Sequence, residues 1–331
     1  MTLRLKIVLS VVLLVVVAIA SLTVGTVGPS VMQIIGIEPL TPNSPQYNIL
    51  FGLRLPRTLT AIAVGAMLSM SGTLMQGIFR NPLVEPYTLG LSGGAVLGVA
   101  LVFTLGLAQF GGATAVMLGA MVGALLSMFA ILVLRRSLHF DTAGMLLSGI
   151  MLSFACSSFT TLLMSLGTRE TLASIMQWTI GSLDGASLFN AVVLGAVALL
   201  LTIVSPVCGN VLNALSVGEQ TAQHLGIDTR RAVATLFIVA TLLAAVSVAT
   251  VGVMAFVGMI VPHVVRLCIG TDHRVVLPLS AVGGATFMLL CDLVARQIAF
   301  PRELPTGIIS GIVGGAMFIY LTARKNVKHS N

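Results

Sequence analysis

Long apolar runs of about twenty residues, separated by short polar stretches, set the pattern of this chain. Such runs lie near 5–28, 58–79, 88–108, 113–134, 143–167, 187–208, 232–251, 255–270, 275–296 and 305–323. Each is about the length an α-helix needs to cross the hydrocarbon of a bilayer. The pattern therefore predicts an all-α polytopic membrane protein of about ten transmembrane helices. The eighth run is the least regular, because Pro262, His263 and Arg266 interrupt it. A β-barrel would alternate apolar and polar residues in ten-residue segments, and these uniform runs do not.

Composition turns that pattern into a statement about solvent. Of 331 residues 57% are hydrophobic and only 8% charged, against roughly 25% charged in an ordinary soluble domain. So few charges cannot coat a water-soluble globule of this length. A soluble enzyme, a secreted disulfide scaffold and an ordinary nucleic-acid binder are excluded. Cys156, Cys208, Cys268 and Cys291 lie far apart in apolar stretches and lack C-x-x-C spacing, so they read as small buried hydrophobes.

The net charge of +7 orients the chain. With the N-terminus inside and ten spans alternating, 12 of the 17 Lys and Arg residues fall on the cytoplasmic side. Only Arg54, Arg57, Arg169, Arg296 and Arg302 fall outside, as the positive-inside rule asks. Both termini are then cytoplasmic, and 1–331 is one transmembrane domain. The first run, with Arg4 and Lys6 before it and Ala18-Ile19-Ala20 within it, also has the outline of a signal peptide. Its apolar length, to about Val27, favours a retained helix.

Two connections are more than short links. The external segment 35–57 holds Pro39, Pro42, Pro45 and Pro56, which predicts an extended, rigid loop. The internal segment 209–231 contains Gly218 to Gly226, which reads as a short helix stopped by Gly226. Ala222 and Leu225 give it one small apolar face. A helix that short needs a surface to pack on, either its own bundle or another protein.

Glycines at four-residue spacing, Gly94/Gly98, Gly119/Gly123 and Gly307/Gly311/Gly315, make small-xxx-small faces for close helix contact. In the fifth run, Ser153, Ser157, Thr161 and Met164 share one helical face. Such hydroxyls bond back to their own helix or line a wetted path between helices.

Catalytic signals are weak. Gly90-Leu91-Ser92-Gly93-Gly94 fits a serine-nucleophile pattern, with His263 as a remote candidate base for an intramembrane protease. It opens a helix rather than following a strand, which is the wrong context. No catalytic or metal-binding residue is assigned. No G-x-x-x-x-G-K-[ST] loop occurs, so ATP is not handled here in that way. An ion-coupled secondary transporter keeps several ionisable groups within its spans; here only Asp292 and His263 come near, which points to an energy source on another polypeptide.

A family resemblance follows from specific residues. Arg54-Leu55-Pro56-Arg57, then Gln76 to Pro86 running into Leu89-Gly90-Leu91-Ser92-Gly93-Gly94-Ala95, resembles the FecCD-type permeases. Phe256 to Arg266, Gly270-Thr271-Asp272-His273-Arg274, Asp292 to Arg296 and Glu303-Leu304-Pro305-Thr306-Gly307 continue the likeness, as do Trp178 to Leu183 and Gly218 to Gly226. These permeases are membrane subunits of ABC importers for ferric siderophores, haem and cobalamin in a bacterial inner membrane. The resemblance implies a second permease copy forming a central pathway, as a homodimer or a heterodimer. It implies two cytoplasmic ATPases carrying the ATP and Mg, and a periplasmic or lipid-anchored binding protein. It carries no cofactor for this chain itself. Gly218, Glu219, Ala222, Leu225 and Gly226 would couple to the ATPase, and Arg54, Arg57 and Arg296 would meet acids of the binding protein. Ser153, Ser157, Thr161 and Met164 would line the pathway opposite Gly307 and Gly311. An iron(III)-siderophore is the expected cargo, with haem and cobalamin beside it. Ala316, where the family often has proline, and Cys291, where it often has alanine, depart from the pattern.

Overall fold

In hydrocarbon every backbone N–H and C=O must be satisfied within the segment, so the apolar runs fold as helices. In the computed structural model the described residues are 2–24, 30–34, 41–42, 44–138, 142–224, 226–299 and 302–327, without the side chains of Val31, Glu219 and 321–327. Among them the elements are α1 Leu3–Thr23, α2 Val31–Ile34, α3 Pro45–Ile49, α4 Leu55–Phe79, α5 Leu91–Thr104, α6 Leu107–Leu138 and α7 Thr142–Leu166. Then come α8 Arg169–Ile180, α9 Leu188–Val217, α10 Glu219–His224, α11 Thr229–Val251, α12 Val257–Ile269, α13 His273–Gln297 and α14 Thr306–Val327. Among the described residues seven helices are long and apolar enough to cross a membrane, and Leu91–Thr104, Val257–Ile269 and Thr306–Tyr320 are shorter apolar helices.

α4 is the central post, packed by α9, α11, α12 and α13 and buried along nearly its whole length. Glycines allow this. A Cβ on Gly65 would lie 2.2 Å from the Gly284 carbonyl oxygen of α13, and one on Gly72 would lie 1.8 Å from that of Gly258 in α12. The predicted glycine faces of α5 and α6 meet in the same way: a Cβ on Gly98 would sit 2.1 Å from the Gly119 oxygen, and one on Gly94 2.4 Å from that of Gly123. Of the three glycines of the α14 face only Gly307 is so crowded, against Ile180 and Val253 carbonyls, while Gly311 and Gly315 face open space.

The structure revises two loops. Residues 45–54, expected as an extended loop, are helical and run straight into α4. Ser44 caps the Tyr47 N–H and Pro45 stands in the first turn, where its missing N–H costs nothing. Before Pro56 the helix widens to a π turn over Leu50–Arg54, which accommodates the ring without a break. Residues 35–40 and Pro39 with them lie outside the described residues. At the other end α9 continues to Val217, so the internal connection expected at 209–231 is helical at its start and narrows to 218–228. α8 is an additional helix between two spans, capped by Thr168.

Candidate functional site

Three regions carry the residues that the sequence singles out. The first is a charge cluster at the end of the bundle where α4 begins and α13 ends. Asp292 is fully buried, and its Oδ1 accepts from Arg57 Nε at 2.9 Å and from Thr306 Oγ1 at 3.1 Å. Its Oδ2 lies 3.0 Å from Arg296 Nη2, one helical turn on. Arg57 also reaches Asp184 at 2.8 Å and Glu303 at 2.5 Å. Arg296 donates to the Ser21 hydroxyl at 2.7 Å and the Ser21 carbonyl at 3.1 Å, and Arg54 donates to the Leu22 carbonyl at 2.7 Å. One carboxylate thus holds two guanidiniums, and the cluster joins α1, α4, α13 and the connection into α14.

This changes the standing of the three arginines. They were expected as outward-facing cations. Instead the Arg57 and Arg296 side chains retain only 12% and 9% of their exposure, and Arg54 is buried. For Arg57 and Arg296 the physical reason is Asp292: a carboxylate in an apolar interior is tolerable only when paired, and these two cations pair with it. Asp184 and Glu303 remain about half exposed at the rim.

The second region is the opposite end, where α10 lies on α9 and α11. Ala222 is fully buried against that bundle, so of the two open surfaces for the helix's apolar face, the chain's own bundle takes it. Gln220, Thr221, Gln223 and His224 face outward. Gly218 and Gly226 adopt φ of +136° and +82°, a region that disfavours side chains, and Ile227 N–H closes the turn on the Ala222 carbonyl at 3.1 Å. Leu225 and the Glu219 side chain lie outside the described residues.

Beside it opens a cleft of about 570 Å³ lined by Gln76, Arg80, Asn213, Arg266, Asp272 and His273 among others. Gln76 Nε2 donates to the Gly258 and Met259 carbonyls at 3.2 and 3.1 Å, and Arg266 donates to Gln76 Oε1. Asp272 caps α13 through the Arg274 N–H at 3.0 Å and accepts from Asn213 at 2.7 Å. The Arg274 guanidinium, followed by the Asn213 amide, holds its carboxyl well below the usual range.

The third region is the expected pathway lining. Ser157 and Thr161 on α7 are exposed, Ser153 and Met164 half-buried. Thr161 Oγ1 donates to the Ser157 carbonyl at 2.9 Å, so one hydroxyl is turned back on its own helix. α7 packs on α5, α6 and α8, and α14 on α12 and α13. The two expected faces therefore do not form a packed pair within one chain, and Gly311 looks into open space. Ser92 begins α5 behind a 3-10 turn, Pro86–Leu89, and its Oγ lies 3.4 Å from the Tyr87 carbonyl.

The sequence reading missed two groups: the Asp292 hub and Glu85. Asp292 with Arg296 is an i,i+4 pair inside an apolar run, and that spacing was the available signal. Glu85 sits in the connection after α4, whose return to the level of the helix middle no local pattern announces.

With the geometry in hand, the likeness to known proteins is extensive. The chain is 34% identical over 321 residues to the hemin transport system permease protein HmuU of Yersinia pestis, covering 96% of this chain and 95% of that one. It is 34% identical over 289 residues to the vitamin B12 import system permease protein BtuC of Vibrio vulnificus, covering 87% and 86%. A solved inward-facing conformation of an ABC transporter of metal-chelate type superposes with a TM-score of 0.84 at 29% identity, covering 95% and 97% of the two chains. The profile of the FecCD transport family matches residues 13–324, and the chain belongs to that family.

Proposed function

We propose that this chain is the permease subunit of an ABC importer and carries a large metal chelate across the inner membrane. The observation that carries the reading is the near end-to-end likeness to a metal-chelate ABC transporter, supported by haem and vitamin B12 permeases among the relatives. The cargo is a chelate of the haem, cobalamin or ferric siderophore kind. The ten apolar helices cross the membrane with both termini and α10 in the cytoplasm. The outward face of α10, between Gly218 and Gly226, seats in a cytoplasmic ATPase, while Ala222 fixes the helix to its own bundle. Two copies enclose the pathway, bringing the Ser153, Ser157, Thr161 and Met164 face of α7 toward the open Gly311 side of α14.

On the external side the binding protein meets the Asp292 cluster. Its acidic residues have to compete for Arg57 with Asp184 and Glu303. Arg54 and Arg296 support the surface from beneath. Docking of this kind weakens with salt, because each exposed pair contributes little.

The test is uptake into proteoliposomes holding the purified permease, its ATPase and its binding protein, with haem, cobalamin and a ferric siderophore offered separately. ATP-dependent uptake of one of them is expected. Uptake by the permease alone, driven by an ion gradient, would replace the reading with a secondary carrier. Glu219→Lys or Leu225→Asp is expected to abolish ATPase association.

A further inference from the structure

The cleft of about 570 Å³ beside α10 holds more cations than it has anions to answer them. Its wall takes Arg80 from the end of α4 and Arg266 from the last turn of α12, against one acid, Asp272. That acid is already engaged. Arg274 reaches both of its oxygens, Nε to Oδ1 at 3.1 Å and Nη2 to Oδ2 at 3.0 Å, and Asn213 donates to it at 2.7 Å. Among the described residues neither Arg80 nor Arg266 forms an ion pair.

Arg266 is half-buried, and among the described residues its guanidinium has one hydrogen-bond partner, Gln76 Oε1. Gln76 is held in turn, because its Nε2 donates to the Gly258 and Met259 carbonyls at 3.2 and 3.1 Å. A neutral amide thus fixes the guanidinium and leaves its charge uncompensated. Guanidinium donors form a rigid fork, and the nitrogens of Arg266 that Gln76 does not meet are not sealed from solvent. They open on the cleft.

Arg80 follows Gln76 by one turn, on the same side of α4. It is exposed, and its backbone stands in the left-handed region at φ +48°. Glycine closes a helix there with less strain, so an arginine in this place sets a cation at the cleft against its own backbone preference. Asn81 beside it uses Oδ1 to accept the Leu83 N–H at 3.0 Å, which leaves its Nδ2 donors for the cleft. The far wall adds no free anion. Asn213 gives its Nδ2 to Asp272, so its Oδ1 accepts the His273 N–H and the ring Nδ1–H, both at 2.9 Å.

We propose that this cleft binds a phosphate-type oxyanion between Arg80 and Arg266. The two guanidiniums come from different helices, and a phosphate presents oxygens in several directions where a carboxylate presents two in one plane. The bound anion bridges α4 and α12, replacing the repulsion of their arginines by two charge-assisted contacts. It comes either as free phosphate from the aqueous phase or on the headgroup of an anionic phospholipid at the membrane surface. That the aqueous phase is the cytoplasm rests on the import reading; the binding itself does not.

The experiment uses the purified full chain in a neutral detergent, at an ionic strength held constant with sodium chloride. The probes are inorganic phosphate, acetate, and the short-chain lipid dihexanoyl phosphatidylglycerol with its phosphatidylcholine counterpart as reference. Binding is read as a shift in melting temperature and as line broadening in phosphorus NMR. A saturable rise in melting temperature is expected with phosphate, or with the phosphatidylglycerol above the phosphatidylcholine, and whichever acts identifies the source. Arg266→Gln and Arg80→Gln should each weaken binding by at least about tenfold, as the loss of one charge-assisted contact requires. Arg266→Lys, which keeps the charge without the fork, should retain part of it. The proposal is overturned if phosphate gives no saturable shift and the two lipids act alike, or if the affinity is unchanged in either glutamine variant. Acetate acting as strongly as phosphate also overturns it, in favour of a carboxylate of a partner protein. If Arg266→Gln fails to fold, as size exclusion reports, Arg80→Gln decides the matter, because that side chain is exposed. Failure of the import reading would show in uptake alone and leave phosphate binding standing.

Discussion

Replacing Asp292 by alanine removes the shared counter-ion of two buried guanidiniums. Arg57 Nε loses its partner at 2.9 Å, Arg296 loses the carboxylate at 3.0 Å, and the Thr306 hydroxyl loses an acceptor at 3.1 Å. Breaking a buried pair by deleting one member costs about 3–5 kcal/mol, because the other charge stays buried and unpaired. Arg57 keeps Asp184 and Glu303, which are half exposed, and this brings the expected loss to the lower part of that range. An unfolding entropy of about 2.1 cal/mol/K per residue gives ~0.7 kcal/mol/K for a chain this long. The melting temperature in detergent should then fall by ~4–6 °C. The assay is thermal unfolding of the purified protein followed by a thiol-reactive dye, which reads the exposure of buried Cys291 and Cys156. A triple variant with Asp292→Leu, Arg57→Met and Arg296→Met removes the charges together and should recover most of the loss, since apolar isosteres often replace a buried triad without cost. An Asp292→Ala protein that melts within about 1 °C of the parent, or a triple variant worse than the single one, refutes the reasoning.

Three further outcomes follow from other parts of the structure. Gly98→Leu should separate α5 from α6, because even a Cβ would stand 2.1 Å from the Gly119 oxygen; overpacking of this kind costs at least about 1–3 kcal/mol, read as loss of monodisperse protein on size exclusion. Asp272→Ala should cost about 1 kcal/mol as a lost helix cap. The depressed carboxyl pKa means this stabilisation is present above the ordinary Asp value and is lost as pH falls below it, so melting curves of variant and parent should converge in acid. Cys268 is exposed at the end of α12, and an impermeant maleimide should label it in inside-out vesicles and not in right-side-out ones; the reverse pattern inverts the topology.

Much of the fold is legible along the chain because its causes are local. An apolar run of about twenty residues settles both its solvent and its backbone conformation, whatever it packs on. Glycine spacing likewise marked the faces through which α5 and α6 meet, though not that they meet each other, since removing Cβ is what lets two backbones approach. The prolines of 45–56 were misleading for an equally local reason. Proline ends a helix only in its interior, and Ser44 with the π turn placed these near a start.

The few charged residues are where sequence and tertiary structure part. The 8% of charged residues excluded water as the solvent and oriented the spans by counting alone. Which of them meet was decided by the tertiary fold. Arg57 finds Asp184 at a separation of 127 residues and Asp292 at 235, so arginines read as free surface cations are instead held inside. Pro86 comes beside Gly258 only because the connection after α4 turns back to the middle of that helix. Helix formation answers to neighbours along the chain and to the solvent, and both are written in the sequence. Charge pairing answers to which connections the packed helices bring within a few ångströms, and that is fixed only when all of them are in place.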